Sequence, residues 1–149
     1  MPFLELLLLI GLSVGDLRQR VIYLAPVLAL GFIGLIDQLV FRHASFVSLG
    51  LGALIGSGFF GLQYFVSRGK LVGTGDVFLG LALGLVFGWE RLLAVLLVSY
   101  VLGSLIALTC IALGIWKRTE RLPLGAFLAL GSACILFVDH PWVLLGFAP

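Results

Sequence analysis

The chain has 149 residues, 62% of them hydrophobic and only 11% charged, with 20 glycines and a formal net charge of +2. A soluble domain carries about 25% charged residues, so this chain has too little polar surface to cover a globule in water. The same numbers exclude disorder, a collagen-like repeat and a nucleic-acid-binding face. A mean hydropathy of +1.25 identifies an all-α, polytopic integral membrane protein whose first partner is the lipid bilayer.

The N-terminal segment MPFLELLLLI has neither a basic leader region nor a small-residue cleavage site, so it is expected to be a retained first helix running 15 residues to Asp16. Uncharged runs follow at Val21–Ile36 (16 residues), Ala44–Ser67 (24), Val77–Trp89 (13), Leu92–Trp116 (25) and Leu122–Val138 (17). About 20 apolar residues cross a bilayer, so the two longest runs are sufficient alone. The shorter ones span only if they carry a charged residue into the membrane at one end. Six helices result, with breaks expected at Asp16–Arg20, Asp37–His43, Arg68–Gly75, Glu90–Arg91 and Lys117–Arg121. No strand, repeat or linker is visible, and residues 1–149 form a single membrane-embedded domain. The final Trp142–Phe147 stretch is too short to span and is expected at the outer interface.

Basic residues set the orientation. Loops one, three and five hold Arg18, Arg20, Arg68, Lys70, Lys117, Arg118 and Arg121, whereas loops two and four hold only Arg42 and Arg91. The positive-inside rule then places the odd loops in the cytoplasm and both termini on the outer side.

Of the seven acidic residues, Glu5, Asp37, Glu90, Glu120 and Asp139 read as solvated interface charges. Asp16 and Asp76 do not. A helix from Met1 to Asp16 rises about 22 Å against a hydrocarbon thickness of roughly 30 Å, so it carries Asp16 into the cytoplasmic leaflet. Val77–Trp89 is equally short, and its helix is expected to begin near Val72 and include Asp76. Gly80, Gly84 and Gly88 follow Asp76 at intervals of four and share its helix face. Glycine at that spacing lets membrane helices pack closely, which turns Asp76 away from lipid. Gly11 with Gly15 and Gly52 with Gly56 suggest the same on the first and third helices. The structural alternatives are an i,i+4 pair of Asp16 with Arg20 and a helix cap for Asp76 after the Gly73-Thr74-Gly75 turn. Cys110 and Cys134 read as small buried hydrophobes, with no metal-ligand spacing.

Intramembrane carboxylates facing a bundle interior are functional candidates. Two of them held within a few ångströms share one proton and titrate as a unit. The ionised member can take a proton from water as it attacks a carbonyl, while the protonated member donates to the oxygen. No cofactor or metal is required.

Gly73-Thr74-Gly75-Asp76 resembles the GxGD motif of the prepilin peptidase family of membrane aspartic proteases. The segment Asp16–Ile22 is similar to that family's first-aspartate segment, and Leu122–Ala129 to its third landmark, P-F-G-P-F-L-A. The order and spacing of all three agree. The resemblance implies a catalytic pair, Asp16 and Asp76, with Gly73, Gly75, Pro123, Gly125 and Phe127 supporting the site. It also implies removal of the basic leader from prepilins, pseudopilins or preflagellins, after a glycine at the cytoplasmic face of the plasma membrane. Tyr23, Leu124, Ala126 and Phe78 depart from the family pattern without touching either aspartate. The cysteine-rich N-terminal region of two-domain relatives is missing, so a small peptidase-only member without methyltransferase activity is expected. The rival class is a proton- or cation-coupled transporter using the same aspartates. A degenerate, non-enzymatic scaffold would be expected to have lost one of them. The sequence does not specify an oligomeric state.

Overall fold

A computed structural model describes residues 2–19, 24–70, 72–115 and 124–136. They form α1 (Pro2–Gln19), α2 (Leu24–Ile36), α3 (Phe46–Ser67), α4 (Thr74–Ala112) and α5 (Leu124–Leu136), and a π-helical turn over Asp37–Phe41 continues α2. No strand occurs among the described residues. Leu24–Phe41, Phe46–Ser67 and Thr74–Ala112 are each long and apolar enough to cross a bilayer. The expected fifth break at Lys117–Arg121, together with Glu120, Pro123, Asp139 and Trp142–Phe147, lies outside the described residues.

Local chemistry sets the helix ends. Ser45 caps α3, its hydroxyl accepting the Val47 N–H at 3.3 Å. At the other end Arg68 takes the left-handed conformation, φ 50°, and Gly69 follows with φ 72°. The Gly69 N–H then donates to the Tyr64 carbonyl at 2.9 Å, satisfying one of the last orphan acceptors.

At 39 residues α4 would be about 58 Å long if straight, nearly twice the bilayer core. It is not straight. Gly88 has φ 69° and ψ 173°, a region essentially closed to other residues. Contacts with α3 show that the chain reverses there. Along the first arm (74–87), Gly52 faces Gly84, Gly56 faces Gly80 and Gly61 faces Val77, so this arm is antiparallel to α3. Along the second arm (89–112), Gly52 faces Trp89, Gly56 faces Leu92 and Gln63 bonds Tyr100, so that arm is parallel to α3. The break expected at Glu90–Arg91 is therefore corrected to Gly88, with Glu90 and Arg91 inside the second arm. The charged pair marks where hydropathy falls, whereas the turn needs a residue without Cβ.

This hairpin is the centre of the molecule, packing against α2, α3 and α5, while α1 packs on α5 and α2. Buried Leu30, Phe60, Leu83, Leu92, Leu128 and Ile135 form its core. Close approach of α3 and the first arm depends on glycine: a methyl at Gly80 would fall 2.5 Å from the Gly56 carbonyl oxygen and 2.9 Å from its carbon. Gly11 and Gly15, by contrast, have nothing among the described residues within 4 Å of an added Cβ. Phe65, 83% exposed, heads an outward surface of large apolar side chains that suits lipid and not water. Cys134 belongs to that surface, contrary to its expected burial, and Cys110 is half-buried.

Two acidic residues expected at a wet interface are instead buried. Glu5 and Asp37 are each 1% exposed, while Glu90 is exposed. Glu5 shares its helix face with buried Leu9 and Leu12, four and seven residues on, which carries it inward. Neither of its carboxylate oxygens has a hydrogen-bond partner among the described residues, and Arg42 lies within electrostatic reach. Asp37 pairs with Arg42, Nε to Oδ2 3.0 Å, over a five-residue spacing that suits the π-helical turn between them. The Gln38 amide donates to the Val86 carbonyl, tying that turn to α4 just before Gly88.

Candidate active site

Asp76 occupies the third position of α4 and is 9% exposed. Gly73 is the extended N-cap, φ −89° and ψ 168°, and its N–H donates to Asp76 Oδ2 at 2.8 Å. This is the carboxylate half of a capping box, and glycine has no side chain to supply the other half. The cap foreseen as the structural alternative for Asp76 is thus present, and it fixes the carboxylate at the head of the helix. Burial agrees with the glycine stripe: Asp76, Gly80, Gly84 and Gly88 all face the interior. Gly75 is half-buried in the first turn.

Asp16 lies in α1, three residues before its end at Gln19, but its side chain is outside the described residues. Gly125 and Phe127 are buried on α5, and Phe127 packs on the second arm of α4, its ring carbon 3.0 Å from where a Cβ on Gly103 would stand.

Sequence reasoning missed a polar pair, Tyr100 and Gln63, on the helices that pack around the first arm of α4. Tyr100, on the second arm of α4, lies within electrostatic reach of the Asp76 carboxylate. Gln63 of α3 meets its hydroxyl, with Gln63 Nε2 2.9 Å and Gln63 Oε1 3.0 Å from Tyr100 Oη. Phe59 supports the ring edge-on, 5.4 Å between centroids at 79°. Tyr100 also lines a groove between α4 and α5 with Ser99, Gly103, Ser104, Leu124 and Phe127. The available signal was one amide inside the uncharged Ala44–Ser67 run and one phenol inside Leu92–Trp116. In hydrocarbon each such group needs a partner.

A buried carboxylate at the head of a glycine-faced helix, in an all-α bundle with an apolar exterior, defines a helical membrane protein with a candidate acid–base site. The chain belongs to the type IV leader peptidase family, which it matches over residues 3–108, a span that includes Asp16, Gln63, Asp76 and Tyr100. A prepilin leader peptidase/N-methyltransferase of Burkholderia pseudomallei strain 1026b is 42% identical over 74 residues, covering 50% of this chain and 24% of that protein, and that of strain K96243 matches equally. A prepilin leader peptidase/N-methyltransferase of Legionella pneumophila is 30% identical over 141 residues, 90% of this chain and 48% of that protein. The chain thus spans between a quarter and a half of the length of these relatives. No solved structure matches it. The transporter reading finds no support in these matches.

Proposed function

We propose that the protein is a membrane aspartic endopeptidase that removes the leader peptide of type IV prepilins, pseudopilins or preflagellins. Cleavage follows a glycine at the cytoplasmic face of the plasma membrane, and Asp16 and Asp76 are the catalytic pair. The observation that carries this reading is the buried Asp76 of Gly73-Thr74-Gly75-Asp76, inside the segment matched to the type IV leader peptidase family.

In this mechanism one aspartate is ionised and the other protonated. The ionised carboxylate takes a proton from water as the water oxygen bonds to the scissile carbonyl carbon. The protonated carboxyl donates to the carbonyl oxygen, giving a neutral tetrahedral diol. Collapse re-forms the carbonyl, breaks the C–N bond and passes a proton to the leaving amine. Gly73, through its N–H on Oδ2, keeps the Asp76 carboxylate oriented throughout. Pro123, Gly125 and Phe127 support the site from the third landmark.

Helix direction favours bringing the two aspartates to one end. Glu5 lies near Arg42, at the end of the bundle that holds Gly88, so α1 runs from there toward the end that holds Asp76. The distribution of Lys and Arg supports six spans with that aspartate end in the cytoplasm and both termini outside. Co-expression with a candidate prepilin tests the reading through the mobility shift of leader removal. The wild-type chain should produce the shortened pilin. Uncut prepilin beside correctly inserted protein, especially together with ion flux, would favour the transporter instead.

A further inference from the structure

Tyr100 and Gln63 sit in two apolar membrane helices, where the simplest purpose of a phenol–amide pair is mutual satisfaction. Their position says more. Asp76 and Tyr100 are each twelve residues from Gly88, so the reversal brings them to the same level, about 18 Å from the turn. The Tyr100 hydroxyl is within electrostatic reach of the Asp76 carboxylate and also lines the α4–α5 groove. The two contacts it makes with Gln63 are alternatives for its proton. Either Tyr100 Oη donates to Gln63 Oε1, or Gln63 Nε2 donates to Oη and leaves the phenolic proton for another acceptor. Phe59 holds the ring edge-on in both cases.

We propose that Tyr100, oriented by Gln63, is a positioning residue for Asp76, its phenolic proton directed at the carboxylate when the Gln63 amide donates to Oη. For catalysis this rests on the reading of Asp76 as a catalytic aspartate. On this proposal Asp76 is oriented from two sides: by the Gly73 N–H at the helix head and, when the phenolic proton turns from Gln63, by Tyr100 across the hairpin.

Tyr100→Phe removes the hydroxyl and keeps the ring against Phe59. Gln63→Leu removes the group that orients it, and serves as the second variant if the first does not fold. Full-length protein in detergent, without substrate, is treated with a hydrophobic carbodiimide, which modifies protonated carboxyl groups, and modification of Asp76 is followed by mass spectrometry. Loss of a donor leaves the carboxyl more often protonated. Asp76 should therefore react several-fold faster in Tyr100→Phe and faster to a lesser degree in Gln63→Leu. With prepilin, Tyr100→Phe should lower kcat about tenfold while KM stays within about twofold, the signature of a contact used in the transition state. Wild-type labelling rates and an unchanged kcat in both variants overturn the proposal. If the wild-type protein cuts no prepilin, the peptidase reading fails, while the labelling still decides whether Tyr100 governs Asp76.

Discussion

Asp76 and Tyr100 stand at the same level on the two arms of one helical hairpin, each twelve residues from Gly88. Their juxtaposition depends on a single residue, Gly88, whose backbone reverses α4 midway between them. Without that reversal the two groups would be 24 residues apart, about 36 Å along a straight helix.

Gly88→Ala should therefore be among the most damaging single-atom changes in the chain. Its φ of 69° and ψ of 173° are strained for alanine, and the added Cβ would stand 2.8 Å from Ser48 Oγ. The expected cost is about 1–3 kcal/mol. Thermal unfolding in detergent should show a clear loss of midpoint relative to the wild type, and an unchanged midpoint would mean that the hairpin does not need this conformation.

Glycines that look alike in sequence should respond in opposite ways. Gly80→Ala drives a methyl onto the backbone of Gly56, so α3 and α4 must separate, at about 1–3 kcal/mol. Gly58→Ala meets nothing within 4 Å among the described residues and gains helix propensity, so it should be neutral or stabilising by up to about 1 kcal/mol. The two melting curves, recorded side by side, check the assignment of the packed face.

The buried acids at the Gly88 end make a third prediction. Arg42→Ala removes the Arg42 ion pair from buried Asp37 and a nearby positive charge from Glu5. Arg42 is partly exposed, so the cost is set at about 1–3 kcal/mol, below that of a fully buried pair. Replacing Asp37 and Arg42 together with leucine should recover part of the loss, since the Asp37 charge is then removed along with its ion-pair partner. A double variant less stable than Arg42→Ala would contradict this account of the pair.

How much of this was legible in the sequence depends on the residue. Asp76 was found because charge is scarce and its glycine stripe has helical period, so both its burial and its direction followed from spacing. The α4 reversal was misplaced by two residues, because the Glu90–Arg91 pair reports solvent preference while the backbone turns where a side chain is absent. The inward face of Glu5 was legible from its register with Leu9 and Leu12, and was obscured by reading it only as a residue near a membrane surface. Nothing in the spacing of Gln63 and Tyr100 announces their hydrogen bond. Their sequence separation of 37 residues closes only through the hairpin. Among the described residues, Gly11 and Gly15 repeat the pattern of Gly52 and Gly56 without its close contacts, because the pattern specifies a small-residue face and not the helix that meets it.

The central claim is that Asp16 and Asp76 cleave the prepilin leader together. Its most direct test is the rate of leader removal by purified wild type, Asp16→Asn and Asp76→Asn, with each variant's melting curve as a control. Asparagine at position 76 keeps an oxygen to accept the Gly73 N–H, so Asp76→Asn should retain the cap and fold. Each substitution should slow cleavage at least a hundredfold, within the range of about 10²–10⁴ that a positioned acid or base supplies. Cleavage by either folded variant at the wild-type rate would contradict the account.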